Sequence, residues 1–182
     1  MNRDKSIFIF LRGLPGSGKT SLANMLSQKE GFVVVSPDLI SPLEIKNENG
    51  IRIKNLKYRH LLDKALVLIK AKHNIVWEQP WRKTKNIPLT IENIRSATLK
   101  DTDNIKFYVV EIKVNPTLSW KRSKKKFESE DYFKSYISKY KEVDLPNDLF
   151  EYIELGGDKP IDEIYKELVS KLRYNSYYGS NR

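Results

Sequence analysis

Ile7 to Leu11 is an unbroken apolar run, the pattern of a strand buried on both faces. A glycine-rich turn follows. Leu22, Met25 and Leu26 then fall on one side of a helix expected over Lys19 to Gln28, ended by Gly31. Phe32 to Val35 reads as a second strand, stopped by Pro37. Ser41 to Asn55, with Pro42, Asn47, Asn49 and Gly50, reads as a loop or insertion. Leu61, Leu62, Ala65, Leu66, Leu68 and Ile69 recur at helical spacing within Leu56 to Lys72. Ile75 to Trp77 is a short third strand, and Pro88 to Leu99 a helix. Ile105 to Val114 alternates around Phe107, Val109 and Val110 as a strand, and Pro116 punctuates it. Helices are expected from near Thr117 and over Glu128 to Lys141. Leu149 to Leu155 is the last strand and Gly156-Gly157 a turn. Pro160 to Leu172 is a closing amphipathic helix, with Pro160 suited to its first turn. No internal repeat is present.

This order predicts an α/β fold: a parallel sheet flanked by helices on both faces, with right-handed crossovers. In such sheets ligands gather at the carboxyl ends of the strands. The 182 residues suit one domain, 1–173, with a small helical lid at about 117–142 and a flexible tail at 174–182.

Hydrophobic residues make up 40% of the chain, enough for a packed core. Cysteine is absent, which excludes disulfides, iron–sulfur clusters and thiol catalysis. Two histidines, His60 and His73, leave little for a histidine metal site, and the sequence assigns neither a role. No apolar run approaches the roughly 20 residues of a membrane helix, and Ile7 to Leu11 is too short for a signal segment. The expected location is the cytoplasm. The net charge of +10 is uneven: residues 1–100 carry 18 basic and eight acidic side chains, residues 101–182 carry 15 of each. Lys46, Arg52, Lys54, Lys57, Arg59, Lys64, Lys70 and Lys72 face only Glu48 and Asp63 in sequence. That stretch reads either as a solvated helix face with a loop or as a surface for a phosphate-bearing partner.

Gly13-Leu14-Pro15-Gly16-Ser17-Gly18-Lys19-Thr20 fits G-x-x-x-x-G-K-[ST], between a strand and a helix. Its glycines let successive backbone N–H groups turn onto an anion, and the helix start adds its dipole. Gly13, Leu14, Pro15, Gly16, Ser17, Gly18, Lys19, Thr20 and Ser21 are therefore the nucleotide-binding candidates. Lys19 would reach the β- and γ-phosphates, and the Thr20 hydroxyl would ligate Mg²⁺. A P-loop NTPase fold follows.

Further candidates come from the ends of the later strands. Asp38, just past the second strand, suits a general base or a Mg²⁺-shell carboxylate, the cap of a short helix from Leu39 being the plainer alternative. Glu78 ends the third strand, where a second metal-shell carboxylate or a solvated strand end is expected. Arg82 could contact a phosphate of the acceptor or lie free on the surface. Trp77 and Trp81 bracket these residues, as packing or as faces for a base. Arg122, in the basic run Lys121 to Lys126, is the lid candidate that would offset charge on the moving phosphoryl group. Lys124 and Lys126 would assist it, and a solvated basic segment is the plainer alternative.

The loop from Gly13 to Ser21, the acid after strand two, the acid closing strand three and the basic run after strand four resemble the small P-loop kinases. The chain looks like the group of polynucleotide kinases, zeta-toxin kinases and chloramphenicol phosphotransferase. Pro15 to Leu22 is similar to the zeta-toxin loop, and Glu78 to Arg82 resembles its strand-three site. The resemblance implies that Asp38 is the base for a substrate hydroxyl and maps lid arginines loosely onto Arg122. Leu39-Ile40-Ser41-Pro42 departs from the basic residue that polynucleotide kinases often place after that base.

The expected activity is ATP- and Mg²⁺-dependent transfer of a γ-phosphoryl group to a hydroxyl of a nucleic-acid 5′ end or a nucleotide-type acceptor. A nucleotide-sugar, nucleoside or antibiotic kinase is an alternative. So is an ATPase or nucleic-acid-binding module without transfer.

Overall fold

The computed structural model describes residues 5–40, 56–98, 104–143 and 148–178, with side chains through Leu172. β1 (Ser6–Gly13) is the central strand. It pairs in parallel with β3 (Ile75–Glu78) on one side and β4 (Ile105–Lys113) on the other. β2 (Val33–Val35) lies outside β3, and β5 (Glu151–Gly156) outside β4. The order is β2-β3-β1-β4-β5, all parallel. Every carboxyl end therefore lies at one edge.

The apolar run of β1 is continuous because both of its faces are covered. Phe8 and Phe10 point into one cluster with Trp77, Phe107 and Val109. That cluster is roofed by Leu61, Ala65 and Ile69 of α2 (Leu56–Lys70) and Ile87, Ile91 and Ile94 of α3 (Asn86–Thr98). Ile9 and Leu11 point the other way. They meet Leu22, Ala23 and Leu26 of α1 (Lys19–Glu30), and Ile164, Leu168 and Leu172 of α6 (Ile161–Tyr178). Burying a large side chain of this kind contributes about 1.5–3 kcal/mol, so the period-2 alternation fixes which helices go on which face.

Helix ends follow local chemistry. Gly31, at φ 73°, donates its N–H back to Ser27 O, and Phe32 N–H returns to Leu26 O, closing α1. α4 (Pro116–Ser123) opens with the Asn115 side chain accepting from Leu118 N at 2.8 Å. α5 (Glu130–Ile137) opens with Ser129 accepting from Tyr132 N at 3.1 Å.

Several boundaries differ from the sequence reading. α3 starts at Asn86, two residues before Pro88. The first N–H groups of a helix have no partner inside it, so proline is tolerated there. α5 is shorter than expected because Ser129 caps it and the chain leaves the helix after Ile137. α6 continues six residues past Leu172, to Tyr178, where a frayed tail was expected. No Gly or Pro occurs between Pro160 and Gly179 to stop it. The expected loop Ser41–Asn55, including Lys46, Arg52 and Lys54, and the end of the tail at 179–182 lie outside the described residues. No helix among the described residues is long and apolar enough to cross a membrane.

Candidate active site

The phosphate loop joins β1 to α1 at the carboxyl edge. Gly13 has φ 152°, and a Cβ there would lie 2.6 Å from Ser17 Oγ and 2.7 Å from Ile112 O. Gly16 has φ 71°, and a Cβ there would meet Arg122 Cβ at 2.9 Å. Both positions demand glycine on backbone angle and on space. Ser17 N–H bonds Leu14 O at 3.1 Å, while the buried Ser17 hydroxyl has no hydrogen-bond partner.

Lys19 folds back over this loop. Its ammonium donates to Gly13 O and Leu14 O, each at 3.0 Å. The side chain is buried, and that burial lowers its pKa from 10.5 to about 8. Glu78 and Asp38 act against the shift, whereas Lys126 reinforces it. These three charges act on Lys19 from β3, the turn after β2 and the segment after α4.

Glu78 is 6% exposed at the end of β3. Its Oε1 accepts from Thr20 Oγ1 at 3.4 Å, and Oε2 accepts from Ser36 Oγ at 3.0 Å. It is not a solvated strand end. Thr20, Glu78 and Ser36 make a hard-oxygen set beside the phosphate loop. That chemistry fits Mg²⁺, which typically uses one or two protein oxygens and completes its shell with phosphate and water. The open glycine cradle and the unpartnered Ser17 hydroxyl likewise fit a bound triphosphate.

Asp38 lies on the 3₁₀ turn Pro37–Leu39, and its carboxylate is exposed toward solvent. The capping role falls to Ser36, whose Oγ accepts from Asp38 N at 3.3 Å. Asp38 is thus not the cap of a helix from Leu39.

Arg82 stacks its guanidinium over the ring of Tyr136 from α5, 4.4 Å from the centroid. Its carbonyl accepts from Lys141 N at 3.2 Å. Tyr136 is half-buried, and that burial chiefly raises its pKa, with Asp38 adding to the rise and Arg82 opposing it.

Trp77 and Trp81 pack against each other at 5.3 Å, and Trp81 meets Phe10 at 5.2 Å. Both are buried. They are core residues, not faces for a base. Trp81 has φ 47°, uncommon for a bulky residue and costing about 1–3 kcal/mol. The strain falls one residue before Arg82.

Arg122, the lid candidate, lies beside the phosphate loop. Its Nη1 donates to Gly157 O at 2.6 Å, past β5, and its Cβ side covers Gly16. Next to it, the buried Ser119 donates to Pro15 O at 2.6 Å. α4 is fastened to the phosphate loop by these contacts, and Lys126 is the base of the run that Lys19 senses. The described part of the Lys46 to Lys72 stretch exposes Arg59, Lys64 and Lys70 from α2 as a solvated face.

Ser36, Tyr136 and the buried pair Arg12 and Glu111 escaped the sequence reading. Ser36 alone left a signal there, a hydroxyl residue directly before Pro37 at the start of a turn.

The fold recurs in small kinases. A gluconokinase from Sinorhizobium meliloti 1021 superposes with a TM-score of 0.60 at 16% identity, covering 100% of both chains. Shikimate kinase from Aquifex aeolicus gives 0.56 at 17%, over 94% of this chain and 99% of that one. Deoxyadenosine kinase from M. mycoides, with dCMP and dCDP bound, gives 0.54 at 14%, over 92% and 98%. At these identities the likeness is one of fold: a P-loop kinase fold. No curated protein matches the sequence. An AAA domain family (AAA_33) matches residues 8–139, from the first strand through the segment after α5, and the chain belongs to that family.

Proposed function

We propose that the protein is an ATP-dependent kinase that moves a γ-phosphoryl group onto a hydroxyl of an anionic, nucleotide-type acceptor such as a nucleic-acid 5′ end. One observation supports this reading: beside the glycine cradle that the Lys19 ammonium crosses, the buried Glu78 accepts from Thr20 Oγ1 at 3.4 Å and from Ser36 Oγ at 3.0 Å.

In this scheme the loop backbone and Lys19 hold the phosphates, and Thr20 with Glu78 would hold Mg²⁺. When bound, that ion withdraws charge from the β- and γ-phosphate oxygens. Asp38 accepts the proton of the acceptor hydroxyl. The freed oxygen forms a bond to the γ-phosphorus as the bond from that phosphorus to the bridging β-oxygen breaks. The bridging electrons leave on ADP. Lys19 and Lys126 offset charge on the group in transit, and Arg122 braces the loop from Gly16 to Gly157. Arg82, aligned by Tyr136, faces the acceptor and matches a phosphate in charge and fork geometry. We read residues 124–142 as the lid, shorter than 117–142, because α4 is tied to Pro15. We place the protein in the cytoplasm, which supplies ATP.

The test is transfer from γ-labelled ATP with Mg²⁺ to 5′-hydroxyl RNA and DNA oligomers, nucleosides, nucleotide sugars and a chloramphenicol-type alcohol. Label on one acceptor class, lost in Asp38→Asn with ATP binding retained, is the expected result. Label released only as free phosphate, with or without acceptor, would overturn the reading.

A further inference from the structure

Arg12 breaks the apolar run of β1 one residue before Gly13. It shares a face with Phe8 and Phe10, is 0% exposed, and sits in register with Glu111 of β4. A charge in that position is costly unless paired and hydrogen-bonded. Its partners identify what it is for. Nε donates to Tyr140 Oη at 2.9 Å, and Nη2 donates to Lys141 O at 2.5 Å. The guanidinium carbon lies 4.3 Å from the centre of the Tyr140 ring. Glu111 approaches Nη1 only to 3.6 Å. Its two carboxylate oxygens instead accept from Tyr140 Oη at 3.0 Å and Tyr152 Oη at 2.8 Å.

Both hydrogen bonds of the Arg12 fork thus go to the chain returning from α5, and none to the core beneath it. Lys141 also donates its own N–H to Arg82 O at 3.2 Å. One residue is thus held through the two peptides that flank it, by the end of β1 and by the segment after β3. α5 touches Arg82 a second time through Tyr136.

We propose that Arg12 is a positioning residue for the acceptor side: it fixes the return at Tyr140–Lys141 and, through the backbone of Lys141, the segment that aims Arg82. This rests on the kinase reading above, in which Arg82 faces the acceptor. Arg12 touches neither substrate. Its place beside Gly13 ties the acceptor wall to the strand that carries the phosphate loop, so the two substrates are held in one frame.

Arg12→Lys and Tyr140→Phe test this in the full chain. Lysine keeps a cation beside Glu111, but one ammonium cannot reproduce a fork spanning Tyr140 Oη and Lys141 O. Hydrogen exchange in residues 130–141 is expected to quicken by about tenfold in Arg12→Lys, with α1 and residues 13–21 unchanged. In transfer assays the acceptor KM rises about tenfold or more while the ATP KM stays within about twofold. Tyr140→Phe, which leaves Arg12 and Glu111 in place, gives a smaller version of both effects, and decides alone if Arg12→Lys fails to fold. Unchanged exchange, exchange quickened evenly along the chain, or ATP and acceptor KM moving together would overturn the proposal. The expected exchange pattern in a protein that phosphorylates no acceptor would uphold the anchor and remove the kinase reading instead.

Discussion

Glu78, at the end of β3, reaches Thr20 on the first turn of α1, Oε1 to Oγ1 3.4 Å. Its other oxygen holds Ser36 at 3.0 Å, beyond β2. Three segments of the carboxyl edge are therefore tied through one buried carboxylate, at the place where Thr20 would meet a metal.

Glu78→Gln keeps the shape and can still hydrogen-bond both hydroxyls, but it removes the charge. Loss of one well-placed electrostatic group costs about 100- to 1,000-fold in kcat. That loss is expected here, together with a higher Mg²⁺ concentration for half-maximal rate and a melting temperature within a few degrees of wild type. Titrating the transfer rate with Mg²⁺ checks it. An unaltered Mg²⁺ dependence would remove Glu78 from the metal site.

Burial holds the Lys19 ammonium at about pKa 8, against 10.5 for the free side chain. Below about pH 8 the folded and unfolded chains are both protonated at this group, and the burial penalty is present in full. Between about 8 and 10.5 the unfolded chain binds more protons, so this group makes stability rise with pH. Lys19→Met removes that dependence. From pH 7 to 10, wild type should gain on Lys19→Met by on the order of 1–3 kcal/mol in urea unfolding, while the variant transfers no phosphate at either pH. A stability gap that stays constant with pH would contradict the assignment.

Trp81 combines a left-handed backbone with a buried ring wedged between Phe10 and Trp77. Truncating a buried tryptophan to alanine costs about 3–5 kcal/mol. Alanine remains disfavoured at this φ, so little of that cost returns as relieved strain. Trp81→Ala should therefore lower unfolding stability by about 3 kcal/mol, and should raise the acceptor KM by releasing Arg82. Denaturant melts and acceptor kinetics measure the two effects. A stability loss with unchanged acceptor KM would show that Trp81 only packs.

The sheet and the phosphate loop were legible because both are local. Five unbroken or alternating apolar runs specify five strands, and the glycines, Lys19 and Thr20 lie within eight consecutive residues. The positions of Asp38 and Glu78 at the carboxyl edge were legible for a related reason, since each is the acid that follows or ends an apolar strand. Arg12 was not. Its meaning lies in Tyr140 and Lys141, 128 and 129 residues away, and nothing nearby announces a partner for a charge inside a core strand. The basic run after β4 shows the limit from the other side. Composition placed a cluster of cations near the site, but only the pitch of α4 and the turn after it separates Arg122, bonded to Gly157, from Lys126, whose charge acts on Lys19.

That separation makes the two bases distinguishable in kinetics. Lys126 is exposed, so its removal should leave folding intact, while the phosphoryl group in transit loses one cation. Lys126→Ala should lower kcat by about 10- to 100-fold with little change in ATP KM. Because Lys126 helps depress Lys19, the variant should also move the pH at which ATP binding weakens to a higher value. Arg122→Ala is expected to act on the other parameter. It removes the bond to Gly157 O while keeping the Cβ over Gly16, loosening the loop's brace in the ground state and the transition state alike. ATP KM should rise by about tenfold with kcat largely kept. Steady-state kinetics of both variants, with ATP affinity measured from pH 7 to 9.5, decide the matter. Equal kcat losses with no shift in the pH profile would return Arg122 to the phosphoryl group and leave Lys126 a solvated base.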